Sequence, residues 1–188
     1  WYVVGNRQPI SEVEWSNGFA CQAGPVNLNH VSIFTSAMVR RYKGQLLALD
    51  VANETHTWLR SDNGAELAAI TQAAAIAARA VDPGVRIIAS VASSIRPAGL
   101  DLLKIYLDAL ARLPGGAVMW CDGVAVHIYP LDEETNGTLF AHMDTQMPAL
   151  RALIAQYPGL AAKPLWVTEI GGHDFVTPAN NNTDARRV

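Results

Sequence analysis

Short apolar runs alternate with longer amphipathic segments along most of the chain. The apolar runs are rich in Val, Ile and Leu and have the length of buried strands. The longer segments repeat apolar residues at the three- and four-residue spacing of a helix. The runs predict five strands, at residues 1–4, 45–54, 85–93, 123–130 and 164–172. The segments between them predict helices at residues 28–44, 64–84, 99–116 and about 139–157.

Glycine and proline mark where the predicted helices end. Lys43-Gly44 closes the first helix, and Pro83-Gly84 follows the alanine-rich second helix. Pro148 lies inside the last predicted helix, where a proline is expected to produce a kink.

The alternation of strands and helices predicts an α/β fold made of parallel βα units joined by right-handed crossovers. No linker, repeat or low-complexity segment divides the sequence. Residues 1–188 are therefore expected to form a single domain.

Composition and charge argue against several classes of protein. Half of the 188 residues are hydrophobic and 16% are charged, which is typical of a globular domain with a sizeable core. The net charge of -3 and the lack of a basic run argue against nucleic-acid binding. No apolar run is long enough to predict a membrane-spanning helix. The N-terminal residues lack the pattern of a signal peptide.

The two cysteines, Cys21 and Cys121, are expected to be free thiols. The predicted strands place them at opposite edges of a parallel sheet, which argues against a disulfide between them. The sequence has no Cys-x-x-Cys motif and no zinc-type ligand spacing, so no structural metal is expected.

Polar residues occur where the predicted strands end. In a parallel sheet these positions share one rim, which is where βα folds bind their ligands. The clustering is the main functional signal in the sequence. The residues concerned are Asn6, Asn53, Glu54, Ser93, Ser94, His127, Tyr129 and Glu169.

Two of these residues, Glu54 and Glu169, form a carboxylate pair of the kind that cleaves glycosidic bonds. One carboxyl group must be protonated to assist the leaving oxygen, and the other must be ionised to attack the anomeric carbon or to activate water. Asn53 could donate a hydrogen bond to a neighbouring sugar hydroxyl, and the Tyr129 hydroxyl could hold one carboxylate ionised.

Each of these residues taken alone also has an ordinary structural explanation. A glutamate at a strand end is commonly a solvated loop residue or a helix cap, and Asn53 could cap a turn. His127 could be a satisfied core histidine, and Tyr129 could pack at the rim. The functional interpretation depends on the residues occurring together.

Several of these motifs together resemble clan A glycoside hydrolases, which are retaining enzymes with a (β/α)8 barrel. "NE" at residues 53–54 and "TEIG" at residues 168–171 resemble the clan's acid/base and nucleophile motifs. The stretches "FTSAMVRRYKGQLLALDVANETHTW", "DPGVRII" and "DGVAVHIYP" resemble the segments around the clan's fourth, fifth and sixth strands. The similarity extends over residues 1–172 and is greatest to β-xylosidases and endo-acting members.

The resemblance implies a role for each of the main site residues. Glu54 would be the acid/base and Glu169 the nucleophile. Asn53 would bind the sugar beside the scissile bond. Tyr129 would hydrogen-bond the nucleophile, and His127 would shape the floor of the site.

The resemblance also bears on residues around the main site. Asn6 would lie in the substrate site, and Trp58 would stack on a sugar ring, with a structural loop anchor as the alternative. Trp166 is an odd number of residues from Glu169, so strand alternation predicts that it points the opposite way, between barrel and helix.

The chain departs from the clan pattern in two respects. Ala52 and Thr55 stand where the clan often has Trp and Pro around its Asn-Glu pair. The five predicted strands correspond to strands three to seven, so strands one, two and eight of a TIM-type barrel are not found, and a full barrel takes about 250 residues. The chain could be a fragment, could assemble with another copy or a second chain that completes the barrel, or could be a natural minimal form.

The sequence therefore predicts a retaining β-glycoside hydrolase that acts on oligo- or polysaccharides without a cofactor or metal. Nucleic-acid and membrane partners are not expected, and by analogy a secreted or periplasmic location is favoured. Two alternatives stay open. The first is a non-catalytic carbohydrate-binding or scaffold module, and the second is another parallel α/β enzyme that uses His127 with a carboxylate.

Overall fold

The computed structural model describes residues 27–51, 64–90, 95–128 and 136–170. The four strands are β1 (Ala48–Asp50), β2 (Arg86–Ser90), β3 (Gly123–Ile128) and β4 (Leu165–Ile170). The α-helices are α1 (Leu28–Arg41), α2 (Gly64–Val81), α3 (Pro97–Arg112), α4 (Ala117–Trp120) and α5 (Asn136–Ile154), and Leu160–Ala162 forms a turn of 3-10 helix.

The strands form one parallel sheet in the order β1-β2-β3-β4, so every strand lies beside the next strand along the chain. The sheet is curled into a half-barrel with helices between its strands. This arrangement confirms the predicted α/β fold of incomplete barrel type, for which the alternation of strands and helices was the signal. The predicted strand at residues 1–4 lies outside the described residues.

The hydrophobic core lies between the helices and one face of the sheet. Leu49, Ile87, Val124 and Val126 lie on this face and are at most 6% exposed. On β4, which has no neighbour on its other side in the described sheet, Val167 lies on the same face and is 46% exposed. The convex, helix-covered side of the half-barrel is therefore well packed up to its last strand.

Close approach of α2 and α3 fixes the layer of helices over the sheet. Alanines line the buried side of α2, and small side chains let neighbouring helices come near. At Gly64 a Cβ atom would lie 2.6 Å from the Ile105 carbonyl oxygen, so no larger residue fits without a backbone shift.

Asp122 ties four parts of the fold together at the N-terminal end of the sheet. Its carboxylate accepts hydrogen bonds from the Arg79 side chain of α2 at 2.9 Å and from the Ile87 N–H of β2 at 3.0 Å. The Lys163 ammonium, just before β4, lies 3.6 Å away. This cluster anchors the edge of the sheet that is opposite the rim formed by the strand ends.

Some local features differ from the sequence predictions. The sequence predicted neither the short helix α4, which lies between the predicted helix and strand, nor the 3-10 turn before β4. Pro148 lies inside helix α5, as the sequence predicted.

Cys121 is a free, buried thiol as expected, whereas Cys21 lies outside the described residues. Burial, helped by the nearby Asp122 charge, raises the pKa of the Cys121 thiol to about 12.

A membrane-spanning segment is not found among the helices of the described ranges, since none combines sufficient length with sufficient apolar character.

Candidate functional site

The candidate site is centred on Glu169, at the carboxyl end of β4. The strand brings this residue to the rim because Leu165, Trp166 and Val167 precede it in an extended apolar run. The Glu169 side chain is only 12% exposed. A carboxylate this deeply buried is rare without a partner or a function.

His127 is the partner that the structure provides for Glu169. It lies in β3, where all six residues are buried, and its own side chain is 0% exposed. Nε2 of His127 lies 3.2 Å from Oε1 of Glu169, a contact with the distance of an ion pair. Two chemically active side chains from neighbouring strands are thus brought together, and the sequence predicted both of them at the rim.

An irregularity in β4 produces this contact. Trp166 pairs with Ala125 and Val167 with Val126, but His127 pairs with Glu169, so Thr168 is an extra residue in β4. A bulge of this kind interrupts the two-residue alternation of side chains. Glu169 consequently lies on the same face of the sheet as Trp166.

The prediction that Trp166 points away from Glu169, into the layer between barrel and helix, is therefore wrong. Ala125 and His127 lie on one face of β3 because they are two residues apart, and paired residues of parallel strands share a face. The indole also lies directly against Gly123, on that same face. Alternation failed because it assumes a regular strand, and the bulge adds one residue.

Asp50, which the sequence analysis did not single out, contributes a further carboxylate to the concave face. It pairs with Ile88, and Ile88 pairs with Gly123, so all three lie on the face of His127. Its Oδ1 atom is buried. The signal was an acidic residue alternating with Leu49 and Val51 in a strand, and the prediction overlooked it because it placed the strand end at Glu54.

Two polar side-chain atoms of β4, on Trp166 and Thr168, are buried. Within the part of the chain that the structure describes, neither Nε1 of Trp166 nor Oγ1 of Thr168 has a hydrogen-bond partner. Buried polar groups without a partner are uncommon in folded proteins, and a functional role is one explanation for them. Both belong to the strand that carries Glu169.

The described residues contain two of the seven predicted site residues, and these two are in contact. Glu169 and His127 lie against each other on the concave face. The other five predicted site residues lie outside the described residues. They are Asn6, Asn53, Glu54, Trp58 and Tyr129.

Metal binding has no obvious donor set in the described ranges. No three His, Cys, Asp or Glu side chains there come close enough together to hold an ion.

Comparison with known proteins identifies the fold. The chain is similar to the solved structure of a GH39 β-xylosidase from Caulobacter crescentus, with a TM-score of 0.51 and 21% sequence identity. The similarity covers 87% of this chain, which spans 34% of the length of that protein. At this level of identity the similarity indicates a distant, glycosidase-like fold. No protein-family model matches the chain, and no curated protein is significantly similar to it.

Proposed function

We propose that this chain is the catalytic part of a retaining β-glycoside hydrolase, with Glu169 as the nucleophile. The observation that carries the proposal is the nearly buried Glu169 carboxylate at the carboxyl end of β4, 3.2 Å from the buried His127 imidazole. The glycosidase-like fold of the chain supports the assignment.

The contact with His127 suits a nucleophile. With Oε1 in contact with the imidazole at 3.2 Å, the second oxygen of the carboxylate is the one proposed to attack the anomeric carbon. A fixed carboxylate reduces the entropy that is lost on reaching the transition state, because the reacting atoms are already oriented. A carboxylate fully exposed to water would lack this orientation.

Glu54 is the proposed acid/base because the Asn53-Glu54 motif resembles that of clan A glycoside hydrolases. It lies outside the described residues, four positions beyond Asp50 in the sequence.

A retaining pair requires carboxyl groups about 5–5.5 Å apart. The proposal therefore requires the Glu54 carboxyl group to lie at about this distance from that of Glu169.

The proposed reaction has two displacements. Glu169 attacks the anomeric carbon while Glu54 gives its proton to the leaving glycosidic oxygen, so that the glycosidic bond breaks and a glycosyl ester forms. Glu54 then removes a proton from water, which attacks the same carbon and releases Glu169. The reaction needs no cofactor.

The proposed substrates are β-linked oligo- or polysaccharides of plant or microbial type. Asn53 and Asn6 would bind sugar hydroxyls, Tyr129 would hydrogen-bond Glu169, and Trp58 would stack on a sugar ring, since aromatic faces suit the C–H faces of pyranosides. These four assignments come from the resemblance of the sequence motifs.

Azide rescue of alanine variants tests the two roles separately. With an activated aryl β-glycoside and added azide, Glu169→Ala is expected to yield the α-glycosyl azide, because azide replaces the missing nucleophile. Glu54→Ala is expected to yield the β-glycosyl azide, because azide replaces the water in the second step. The anomeric configuration of each product is read by NMR.

Asp144→Asn provides the matched control, since Asp144 is an exposed carboxylate on α5. It is expected to keep the parent activity. Undiminished hydrolysis by Glu169→Ala would refute the nucleophile assignment. Calorimetric sugar binding without any hydrolysis by the parent chain would favour the non-catalytic module instead.

A further inference from the structure

The concave face of β3 leaves a space directly below His127. Gly123 has no side chain and Ala125 has only a methyl group, and both lie on the same face as His127 because they are four and two residues away, respectively. All three residues are buried. Something larger must fill this volume, because protein interiors are close-packed.

The indole of Trp166 fills this space from the neighbouring strand. A Cβ atom added to Gly123 would lie 2.9 Å from Nε1 and 3.1 Å from Cδ1 of Trp166, so the five-membered ring rests on the glycine. Trp166 itself pairs with Ala125. A large residue from β4 thus covers the two small residues of β3, which is how neighbouring strands fill a barrel interior.

The level of Trp166 is directly below the candidate site. Ala125 and Trp166 form one pair, and the next pair on the same face is His127 and Glu169. Two residues along a strand correspond to about 6.6 Å. The bulge at Thr168 is what places these two pairs on one face.

We propose that Trp166 is a positioning residue that forms the floor of the site and holds the His127–Glu169 pair in place. The inference rests on the proposed function and extends it to a residue whose sequence position predicted a location outside the barrel. The indole excludes water from the space below the carboxylate and prevents the imidazole from moving into that space.

The buried Nε1 atom of Trp166 indicates that the indole contributes by packing and not by hydrogen bonding. Within the described residues this donor has no partner, and a buried donor without a partner lowers stability. Phenylalanine keeps an aromatic ring without the donor, so it is expected to replace the tryptophan with little effect on the position of the His127–Glu169 pair. Leucine leaves a cavity, so it is expected to disturb that position.

The first test requires no substrate. The ring signals of the five histidines are recorded by NMR in the parent chain and in Trp166→Leu, with those of His127 assigned from His127→Gln. Trp166→Leu is expected to shift the His127 ring signals. Trp166→Phe is expected to shift these signals in the same direction by a smaller amount. This variant replaces Trp166→Leu in the test if the leucine variant does not fold.

Trp120→Leu is the matched control, because Trp120 is 9% exposed and lies in α4, with its indole N–H donating to the Pro114 carbonyl at 3.0 Å. This variant is expected to lose stability and to leave the His127 ring signals in place. Unchanged His127 signals in both Trp166 variants would overturn the proposal.

The second test uses turnover of an aryl β-glycoside. Trp166→Leu is expected to lower kcat about ten- to a hundredfold, since small misplacements of reacting groups are costly, while KM changes by less than about threefold. Trp166→Phe is expected to retain most of kcat. Equal kcat and KM in Trp166→Leu and Trp120→Leu would contradict the positioning role. Absence of hydrolysis by the parent chain would refute the proposed function, and the NMR result would still decide the role of Trp166.

Discussion

A carboxylate and an imidazole from neighbouring strands lie in contact on the concave face of this half-barrel. The sequence predicted that Glu169 would end a strand and that His127 would lie inside one, and both positions are confirmed. The direct contact between the two could not be predicted, because it depends on which residues of β3 and β4 pair. That Tyr129 hydrogen-bonds the nucleophile stays a prediction.

The first prediction at this scale concerns His127. His127→Ala is expected to lower kcat about ten- to a hundredfold, because it removes the group proposed to orient Glu169. Glu54→Ala is expected to cost more, about a hundred- to ten-thousandfold, because it removes the proposed proton donor. Steady-state kinetics on one aryl β-glycoside measures both.

The comparison of these two variants separates the two enzyme hypotheses. A loss in His127→Ala that far exceeds the loss in Glu54→Ala would point to an enzyme that uses the imidazole for proton transfer. His127→Gln, which keeps a side-chain N–H near Glu169, is expected to lie between the parent chain and His127→Ala.

At the scale of elements, the pairing of β3 with β4 determines the geometry of the site. The apolar runs predicted both strands to within about two residues of their observed ends. The bulge at Thr168 was not predictable from the pattern, because alternation counts residues and a bulge inserts one. That single residue explains why the predicted direction of Trp166 was wrong while the position of Glu169 was right.

A glycine at the start of β3 makes this pairing possible, and its replacement provides the second prediction. A Cβ atom at Gly123 would lie 2.6 Å from the Pro164 carbonyl oxygen and 2.9 Å from Nε1 of Trp166. Gly123→Ala is therefore expected to lower the free energy of unfolding by about 1–3 kcal/mol. Urea unfolding measures the difference.

Gly84→Ala is the control, since its nearest contact would be Asp82 Oδ1 at 3.4 Å. A change within about 0.5 kcal/mol is expected there. If Gly123→Ala were as stable as Gly84→Ala, the close packing of β3 on β4 described here would be incorrect.

For the molecule as a whole, the architecture could be predicted from the sequence, whereas the polar cluster around Asp122 could not. Alternating strands and helices restrict the fold to parallel βα units, and hydrophobic spacing locates the core. Nothing in the spacing of Arg79, Asp122 and Lys163 predicted that they meet, because the fold brings them together from separate elements.

The third prediction concerns this anchor and its dependence on pH. Burial alone would raise the pKa of Asp122, but the Ile87 N–H, the Arg79 guanidinium and the Lys163 ammonium together outweigh burial and hold this pKa below its ordinary 3.8. A carboxyl group whose pKa is lowered by folding stabilises the folded state above its ordinary pKa. That stabilisation is lost as the pH falls through the lowered value.

Asp122→Asn is accordingly expected to lower the free energy of unfolding by about 1–3 kcal/mol at neutral pH, since it removes a charged acceptor. The difference from the parent chain should shrink as the pH falls below about 4. Asp101→Asn, at an exposed position of α3, is the control and should remain within about 0.5 kcal/mol of the parent chain. A difference for Asp122→Asn that is independent of pH would contradict the charged-anchor interpretation.

The nucleophile assignment is tested most directly by trapping the covalent intermediate. The chain is incubated with a panel of 2-deoxy-2-fluoro β-glycosides that carry a good leaving group, since these substrates form the glycosyl ester faster than water releases it. Mass spectrometry of the intact chain and its peptides then locates the adduct. One added sugar on the peptide that contains Glu169, absent in Glu169→Gln, is the predicted result; hydrolysis of the parent glycosides with an adduct on another residue would contradict it.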